Sequence, residues 1–459
     1  MAESPASGLR RDLGVWSTAS IVVGTVIGSG IFLVPASMIR HVGSPEAVLT
    51  VWICGGLLSL AGALTYAELA AALPQAGGEY VYLREAYGPF FGFLYNWTMS
   101  WVGKSGTFAA MASGFTLYLA TFLPVLERPI FVAPLPIGPG GGPLEIKSGQ
   151  FVAAALIVAV ALINYYGVKL GGRVQILITA AKVALIGAIV VAGLWFGDPT
   201  GGNLRSAVPA AAGAGGFFAA LVAALWAFDG WNNAALVAAE VRNPQRTLPR
   251  ALVWGVAGVI AVYLLTNLAY FTVLPASEVA ASDTVAATMM NKVLGAPGAA
   301  LVSIAAMLSI FGALNGSLLS GARIPYAAAR DRLFFPALGY VHPKHGTPSA
   351  SIAALAGWAC VLVLSGRFEQ LFTCVVFSEW LLYLLAAAAV IVLRWRRPAL
   401  PRPYRTPGYP VVPVLFVTAA LGLLAATLRQ SPRESLLGLG IILAGIPYYF
   451  HRRRRDIAG

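Results

Sequence analysis

Charge is the scarcest feature of this sequence. Only 11% of its 459 residues are Asp, Glu, Lys or Arg, whereas a soluble domain carries about 25%. Hydrophobic residues make up 58% of the chain, and its mean hydropathy is +0.76. These values exclude a soluble globular protein and indicate a chain that crosses a membrane several times.

Cysteine and histidine are also rare. The three cysteines (Cys54, Cys360 and Cys374) lie inside apolar segments, which argues against a disulfide framework. The four histidines lie outside these segments, and no spacing typical of a metal site or a catalytic nucleophile appears. We therefore expect no catalytic residue, no metal and no cofactor, and a protein that is not an enzyme.

Long apolar segments, by contrast, are abundant. Windows of about 20 apolar residues, the length that crosses a bilayer, predict twelve transmembrane helices. Their expected bounds are 14–40, 46–73, 89–123, 149–167, 173–196, 214–241, 249–274, 299–329, 348–365, 369–394, 410–428 and 435–450. The predicted fold class is an all-α polytopic membrane protein.

The basic residues are distributed unevenly between the predicted loops. With a cytoplasmic N-terminus, 21 of the 31 Lys and Arg residues face the cytoplasm, as the positive-inside rule requires. The net charge of +13 is then a signal of topology. The run Arg452–Arg455 indicates contact with anionic lipid rather than nucleic acid, which would need a soluble basic domain. We expect both termini in the cytoplasm.

Glycine interrupts two of the predicted helices near their middle. The first interruption reads GTVIGSGIF (24–32), and the second reads LWAFDGWNN (225–233). Interrupted helices in matching positions of two halves indicate the substrate site of a transporter. Because each half has five helices, the second half begins on the opposite side of the membrane, which predicts a 5+5 inverted repeat.

The expected organisation follows from this repeat. Residues 1–13 form an N-terminal tail, 14–196 the first repeat and 213–394 the second repeat. Two appended helices occupy 410–450, and a basic tail occupies 451–459.

The two interruptions suggest a substrate with both charges. Backbone amides at Ser29 and Gly30, at the positive end of a half-helix, suit a carboxylate. Freed carbonyls near Val26, Trp226 and Asp229 suit an ammonium group, so an α-amino acid fits. The alternative is packing: the glycines at 24 and 28 would let helices approach closely, and Trp226 would be an ordinary core residue.

Five more charged positions lie within or near the spans. Lys182 is too deep to reach the membrane surface, so it either pairs with a carbonyl or carboxylate, or acts as a fixed cation that tethers the first broken helix. Lys104 and Glu379 are predicted to pair with each other, carry a proton or face water. Glu68 and Glu240, near cytoplasmic ends, are expected to pair with arginines.

These residues carry a resemblance to a known family. Residues 24–32, Lys182, 226–232, 240–249 and 313–317 resemble the amino acid–polyamine–organocation (APC) transporters, most closely bacterial relatives of the L-type amino acid transporter light chains. The resemblance implies a LeuT-like fold with discontinuous helices 1 and 6, located in the bacterial inner membrane. It also implies exchange of substrates by alternating access.

The resemblance further assigns roles to individual residues. Lys182 would stand in for a sodium ion, with Asn315 and Tyr263 in the same coupling group. The substrate-binding residues implied are Val26, Ile27, Gly28, Ser29, Gly30, Trp226, Phe228, Asp229 and Asn232.

Two functions remain open from the sequence. The first is Na⁺-independent exchange of neutral L-amino acids. The second is a proton-coupled or cationic amino acid or polyamine permease, suggested by Asp229, Glu379 and Lys104. The loop at 124–147 contains no cysteine, so we expect no disulfide-linked heavy chain; the expected partners are the amino acid substrate and the lipid bilayer.

Overall fold

The computed structural model describes residues 9–133, 144–210, 214–282, 284–365, 368–430 and 432–458. Outside these residues lie most of the predicted N-terminal tail, the middle of the loop at 124–147, and single positions or short stretches of the predicted second repeat, appended helices and basic tail.

Helices dominate the first half of the chain. They are α1 (Val15–Val26), α2 (Gly30–Val42), α3 (Pro45–Ala72), α4 (Glu79–Tyr87), α5 (Pro89–Thr98), α6 (Lys104–Ala120), α7 (Ser148–Tyr165) and α8 (Val168–Phe196). A π-helical turn, Met99–Gly103, joins α5 to α6. The loop after α6 contains an antiparallel pair of strands, β1 (Pro129–Ala133) and β2 (Leu144–Lys147), which the sequence analysis did not anticipate.

The second half is helical as well. Its helices are α9 (Ala214–Ala227), α10 (Asn233–Leu236), α11 (Pro244–Val273), α12 (Ala276–Ala281), α13 (Val285–Leu294), α14 (Ala296–Gly321), α15 (Arg323–Arg330), α16 (Ser349–Leu364), α17 (Phe368–Arg396), α18 (Val411–Gln430) and α19 (Pro432–Ala458). Helices α4, α12 and α13 lie between the predicted spans and were missed.

Eight of the described helical stretches are long and apolar enough to cross a membrane. They are Val15–Val42, Pro45–Ala72, Ser148–Tyr165, Val168–Phe196, Pro244–Val273, Ala296–Arg330, Phe377–Arg396 and Val411–Arg429. The prediction of a polytopic helical membrane protein is thus confirmed. The count of twelve stays a prediction, because Gly215–Ala227 and Ser349–Leu364 are apolar but shorter.

Some predicted helix starts were wrong by several residues. Helix α8 begins at Val168 rather than 173, and α11 begins at Pro244 rather than 249. The start of α11 has a local cause. Asn243 adopts a left-handed conformation (φ 48°), and Pro244 occupies the first helical position, where its missing N–H leaves no donor unsatisfied.

Large apolar side chains cover the outside of the helices. Leu177 is 70% exposed, Trp195 81% and Trp254 75%. Apolar surface of this kind is unfavourable in water and favourable in lipid. The outer face of the helices is therefore suited to a bilayer.

The interrupted helices lie at the centre of the molecule. Helix α1 packs against α8, α11 and α14, and α2 packs against α9. Helix α3 packs against both α9 and α11. Both interruptions are consequently surrounded by other helices, where irregular backbone is tolerated within a membrane.

Candidate functional site

The first break separates α1 from α2. Helix α1 ends at Val26 and α2 begins at Gly30, which leaves Ile27, Gly28 and Ser29 outside the helices. Val26 and Ile27 are buried, whereas Gly28 and Ser29 are half-exposed. The carbonyls at the negative end of α1 and the amides at the positive end of α2 therefore meet here.

Lys182 of α8 binds the carbonyl side of this break. Its Nζ atom donates to the carbonyl oxygens of Gly24 (2.6 Å) and Ile27 (2.5 Å) and, more distantly, of Ser309 (3.4 Å). The Ser309 hydroxyl lies within hydrogen-bond distance of the carbonyls of Ile27 (2.9 Å) and Gly28 (3.2 Å) and donates its one proton to one of them at a time. One buried ammonium thus ties the end of α1 to α8 and α14.

The three glycines of the first break differ in what surrounds them. A Cβ added at Gly30 would lie 2.7 Å from Ala227 Cβ and 2.9 Å from Ala227 Cα, and one at Gly24 would collide with Gln175 and Thr179. A Cβ at Gly28 would meet nothing closer than 3.8 Å. Close packing therefore explains Gly24 and Gly30, whereas it leaves Gly28 unexplained.

The second break is joined to the first by two side chains. Helix α9 ends at Ala227, and Gly230 follows with a φ of +103° that an L side chain rarely adopts. Thr25 Oγ1 lies 2.8 Å from the Gly230 carbonyl and 2.6 Å from the Ile21 carbonyl of its own helix, and its one proton serves one of them at a time. The Tyr263 hydroxyl lies 2.9 Å from the Val26 carbonyl and 3.0 Å from the Ala227 carbonyl. Having one proton, this hydroxyl donates to one carbonyl at a time.

Two of the aromatic residues at the second break, Trp226 and Phe228, have different surroundings. Trp226 is half-exposed, and its ring lies against Gly30, within 3.4 Å of the position of an added Cβ. Phe228 is buried, with its ring 5.6 Å from Trp52 and 5.1 Å from Tyr263. Trp226 thus lies beside the amide end of α2, whereas Phe228 packs into the core.

Asp229 occupies the middle of the second break and is half-exposed. Its Oδ1 accepts a hydrogen bond from the Tyr383 hydroxyl (3.1 Å). Its backbone amide donates to the Trp226 carbonyl (3.0 Å). The Val26 and Trp226 carbonyls that were expected to be free thus each have an internal partner, although a carbonyl oxygen has a second lone pair.

Lys104 and Glu379 do not pair with each other. Lys104 Nζ donates to Asn233 Oδ1 (3.1 Å), which also accepts from the Ser320 hydroxyl (3.1 Å). Glu379 Oε1 is buried without a hydrogen-bond partner among the described residues. The pairing alternative fails because the short amide of Asn233, on α10, receives the ammonium instead.

Asn232 points toward α4. Its amide nitrogen donates to Glu79 Oε1, and both side chains are fully buried. Burial raises the pKa of the Glu79 carboxyl, although this hydrogen bond opposes the shift. Asn232 thus contacts Glu79, a carboxylate that the sequence analysis did not single out.

Asn315 lies apart from Lys182, with which it was grouped. Its amide nitrogen donates to Gln175 Oε1 (2.8 Å), and its Oδ1 accepts from Asn164 (2.9 Å). The side chain therefore joins α14 to α7 and α8 and makes no hydrogen bond to the break itself.

Ion pairs cluster at the end of the bundle that was predicted to be cytoplasmic. Arg323 binds Glu240 with both partners buried, and Arg394 binds Glu68. The expected arginine partners of both glutamates are therefore present.

At the surface, partial burial raises the pKa of the Glu85 carboxyl, but hydrogen bonds from Arg84 and Arg397 outweigh this effect and hold the pKa below its usual range.

Three residues of the site carried no clear sequence signal. Ser309 is one of several small residues in α14, and Tyr383 is one of many aromatics. Glu79 follows Gly77-Gly78 outside every predicted span. Only the fold brings Glu79 to Asn232.

Comparisons with known proteins give one consistent result. The family model described as "Amino acid permease" matches residues 13–445. The serine/threonine exchanger SteT of Bacillus subtilis (strain 168) is 33% identical over 452 residues, covering 98% of both chains. The b(0,+)-type amino acid transporter 1 of Homo sapiens is 34% identical over 453 residues, covering 98% of this chain and 89% of the relative. The human cystine/glutamate transporter is 32% identical over 446 residues, covering 96% and 85%.

Proposed function

Because this chain belongs to the amino acid permease family, we propose that it exchanges neutral L-amino acids across the membrane by alternating access and without sodium. Its relatives include a serine/threonine exchanger and amino acid transporters. The observation that carries the proposal is the first break, where Lys182 binds the carbonyl end of α1 and leaves the half-exposed Gly28 and Ser29, just before α2, open to a ligand.

The amide end of α2 would bind the substrate carboxylate. The first amides of a helix have no intrahelical acceptor, and the helix dipole favours an anion there. Ser29 adds a hydroxyl donor, and the half-exposure of Gly28 and Ser29 gives access. The free space around Gly28 supports this role, because packing does not require glycine at that position.

The carbonyls of Val26, Trp226 and Asp229 would bind the substrate ammonium, with Ile27 completing the wall. Those of Val26 and Trp226 each retain one lone pair beside their internal hydrogen bond. Trp226, half-exposed beside Gly30, would close over the bound molecule. Phe228 and Asn232 would support the substrate-binding backbone without touching the substrate, since both side chains are buried.

Lys182 would supply the charge that a sodium ion supplies in other transporters. It is fully buried, and every proton of its ammonium has a carbonyl acceptor. A fixed cation of this kind removes the need for a dissolved one. Tyr263 and Asn315 would keep the surrounding helices in register.

The larger architecture belongs to the same proposal. We propose twelve transmembrane helices in a 5+5 inverted repeat (14–196 and 213–394), with two further helices at 410–450 and both termini in the cytoplasm of a bacterium. We also propose that the protein works without a disulfide-linked heavy chain, since the loop at 124–147 lacks cysteine.

Exchange can be tested with purified protein in liposomes. We expect uptake of labelled L-threonine into vesicles loaded with unlabelled L-threonine to exceed uptake into empty vesicles by about tenfold or more, as expected if an empty carrier returns slowly. Replacing sodium by choline should leave the uptake of labelled L-threonine unchanged. Uptake into empty vesicles driven by a pH gradient would instead identify a proton-coupled permease.

A cationic substrate is the second candidate, and Asp229 favours it. This carboxylate is half-exposed beside the half-exposed Trp226 and accepts one side-chain hydrogen bond, from Tyr383. A cationic side chain next to it would gain a charge-assisted bond.

We expect Asp229→Asn to separate the two candidates. If arginine is a substrate, the variant should bind it about tenfold more weakly, because one close charge pair is worth at least about 1.4 kcal/mol. Competition by L-threonine should stay the same. Asp198→Asn, in the exposed loop after α8, is the matched control. A wild-type protein that ignores arginine would eliminate the cationic candidate.

A further inference from the structure

A second group of charges lies behind the second break. Glu79 of α4 and Glu379 of α17 are 0% and 4% exposed, and Lys104 of α6 is 2% exposed. Asp229 completes the group and is its half-exposed member. Glu379 interacts electrostatically with the other three charged groups. We call these four residues the acidic cluster.

The two deeply buried carboxylates of the acidic cluster are only partly hydrogen-bonded. Glu379 Oε1 and Glu79 Oε2 are buried without a partner among the described residues. The ammonium of Lys104 donates to the neutral amide of Asn233 rather than to a carboxylate. Ionised carboxylates left in this way are strongly unfavourable in a protein interior, whereas protonated ones are tolerated.

The surrounding groups do not neutralise the charge. Three ionised carboxylates against one ammonium would leave two negative charges uncompensated. Among the side chains that the structure describes, the titratable groups that face the cluster besides Lys104 are tyrosines: Tyr66 of α3, Tyr82 of α4, Tyr95 of α5 and Tyr383 of α17. Tyrosine is neutral at physiological pH, so it supplies no positive charge. Glu68, farther along α3, is already paired with Arg394.

We propose that the acidic cluster binds protons in the substrate-free protein and releases one when an amino acid with a cationic side chain binds. This inference rests on the proposed function, since it assumes that amino acids occupy the two breaks. The O–H bond of one carboxyl group breaks, its proton passes to water, and the ionised carboxylate is compensated by the cationic side chain. The net charge of the site is therefore the same before and after binding.

Asp229 provides the connection between substrate and cluster. It lies in the second break, where a substrate would bind, and it is the accessible member of the group. Glu379 and Glu79 lie deeper and hold the protons from which the cluster releases one. A neutral amino acid brings no side-chain charge, so it leaves the protons in place.

Proton release can be counted by isothermal titration calorimetry in two buffers of different ionisation enthalpy at neutral pH. Purified full-length protein is titrated with L-arginine and, separately, with L-threonine. We expect about one proton released per bound arginine, which is the charge that the ligand adds. For threonine we expect release near zero.

Variants identify the source of the proton. Glu379→Gln and Glu79→Gln keep the shape of the side chain but cannot ionise, and each is expected to lower the number of protons released by arginine. Glu278→Gln, an exposed carboxylate paired with Lys292, is the matched control and should leave the number unchanged.

The possible results have distinct meanings. If threonine binds and arginine either does not bind or releases no proton, this inference is wrong and the proposed function stands. Proton release that is unchanged in both glutamine variants also contradicts this inference. A binding heat for arginine that changes with sodium concentration but is the same in both buffers contradicts it as well. If no amino acid binds, the proposed function itself fails.

Discussion

Lys182→Ala should insert into the membrane and fold, yet exchange amino acids at about one hundredth of the wild-type rate or less. Two short hydrogen bonds from a buried ammonium to the carbonyls of Gly24 and Ile27 would be lost. Hydrogen bonds to charged groups contribute about 1.5–3 kcal/mol each, and about 2.8 kcal/mol corresponds to a hundredfold change. Losing these bonds would disturb the geometry of the first break, where the substrate carboxylate would bind.

Exchange in proteoliposomes, normalised to the amount of folded protein, measures this effect. Lys292→Ala is the matched control, because this lysine pairs with Glu278 at the surface and both side chains are about half exposed. It should retain the wild-type rate. Size-exclusion chromatography separates a transport defect from a folding defect. Exchange at the normal rate in Lys182→Ala would remove Lys182 from the mechanism.

The position of the first break can be predicted from the sequence. Glycine within an apolar segment predicts an interruption, because glycine weakens a helix and an unpaired amide is costly in lipid. The break at Ile27–Ser29 lies within the predicted motif. The depth of Lys182 likewise predicts a buried partner, since a deep charge has to be satisfied.

What the sequence does not reveal is which polar groups meet. Lys104 and Glu379 are both buried and opposite in charge, so pairing was a reasonable expectation, yet Asn233 receives the ammonium. Glu79 lies outside every predicted span and reaches Asn232 only because α4 folds against the bundle. Contacts between residues far apart in sequence depend on how the helices pack, which hydropathy and spacing do not specify.

The same limit applies to the partner of Glu240. The sequence predicts an arginine near it, and three arginines follow within ten residues. The actual partner is Arg323, 83 residues away and 1% exposed. Its guanidinium donates to both carboxylate oxygens at 2.7–3.1 Å. This pair joins the segment after α10 to the start of α15.

The Glu240–Arg323 pair also supports a backbone contact. The Glu240 carbonyl accepts from the Leu13 amide (2.9 Å), and the Leu13 carbonyl accepts from the Arg242 amide (2.8 Å). The N-terminal segment is thus held against the end of the second broken helix. If this end is cytoplasmic, as we propose, the contact lies on the cytoplasmic side of the site.

Arg323→Ala is therefore expected to lower the free energy of unfolding by about 3–5 kcal/mol, the usual cost of leaving one buried partner uncompensated. Thermal unfolding in detergent, followed by fluorescence, measures the loss. Removing both charges in Arg323→Met/Glu240→Gln should recover most of it, because a neutral pair of similar volume leaves no isolated charge. By comparison, removing the exposed Lys292–Glu278 pair should cost at most about 1 kcal/mol.

Transport by the double variant then distinguishes a structural pair from a gate. If the pair only stabilises the fold, the double variant should exchange amino acids at the normal rate once stability returns. If the pair also holds the cytoplasmic side closed, the stability of the double variant should still return. In that case a cysteine introduced at the half-exposed Ser29 should react faster with a cytoplasmic thiol reagent in the double variant than in the wild-type background. We expect the second result, because the ion pair and the Leu13–Arg242 contact hold the same segment, and loosening one removes support from the other.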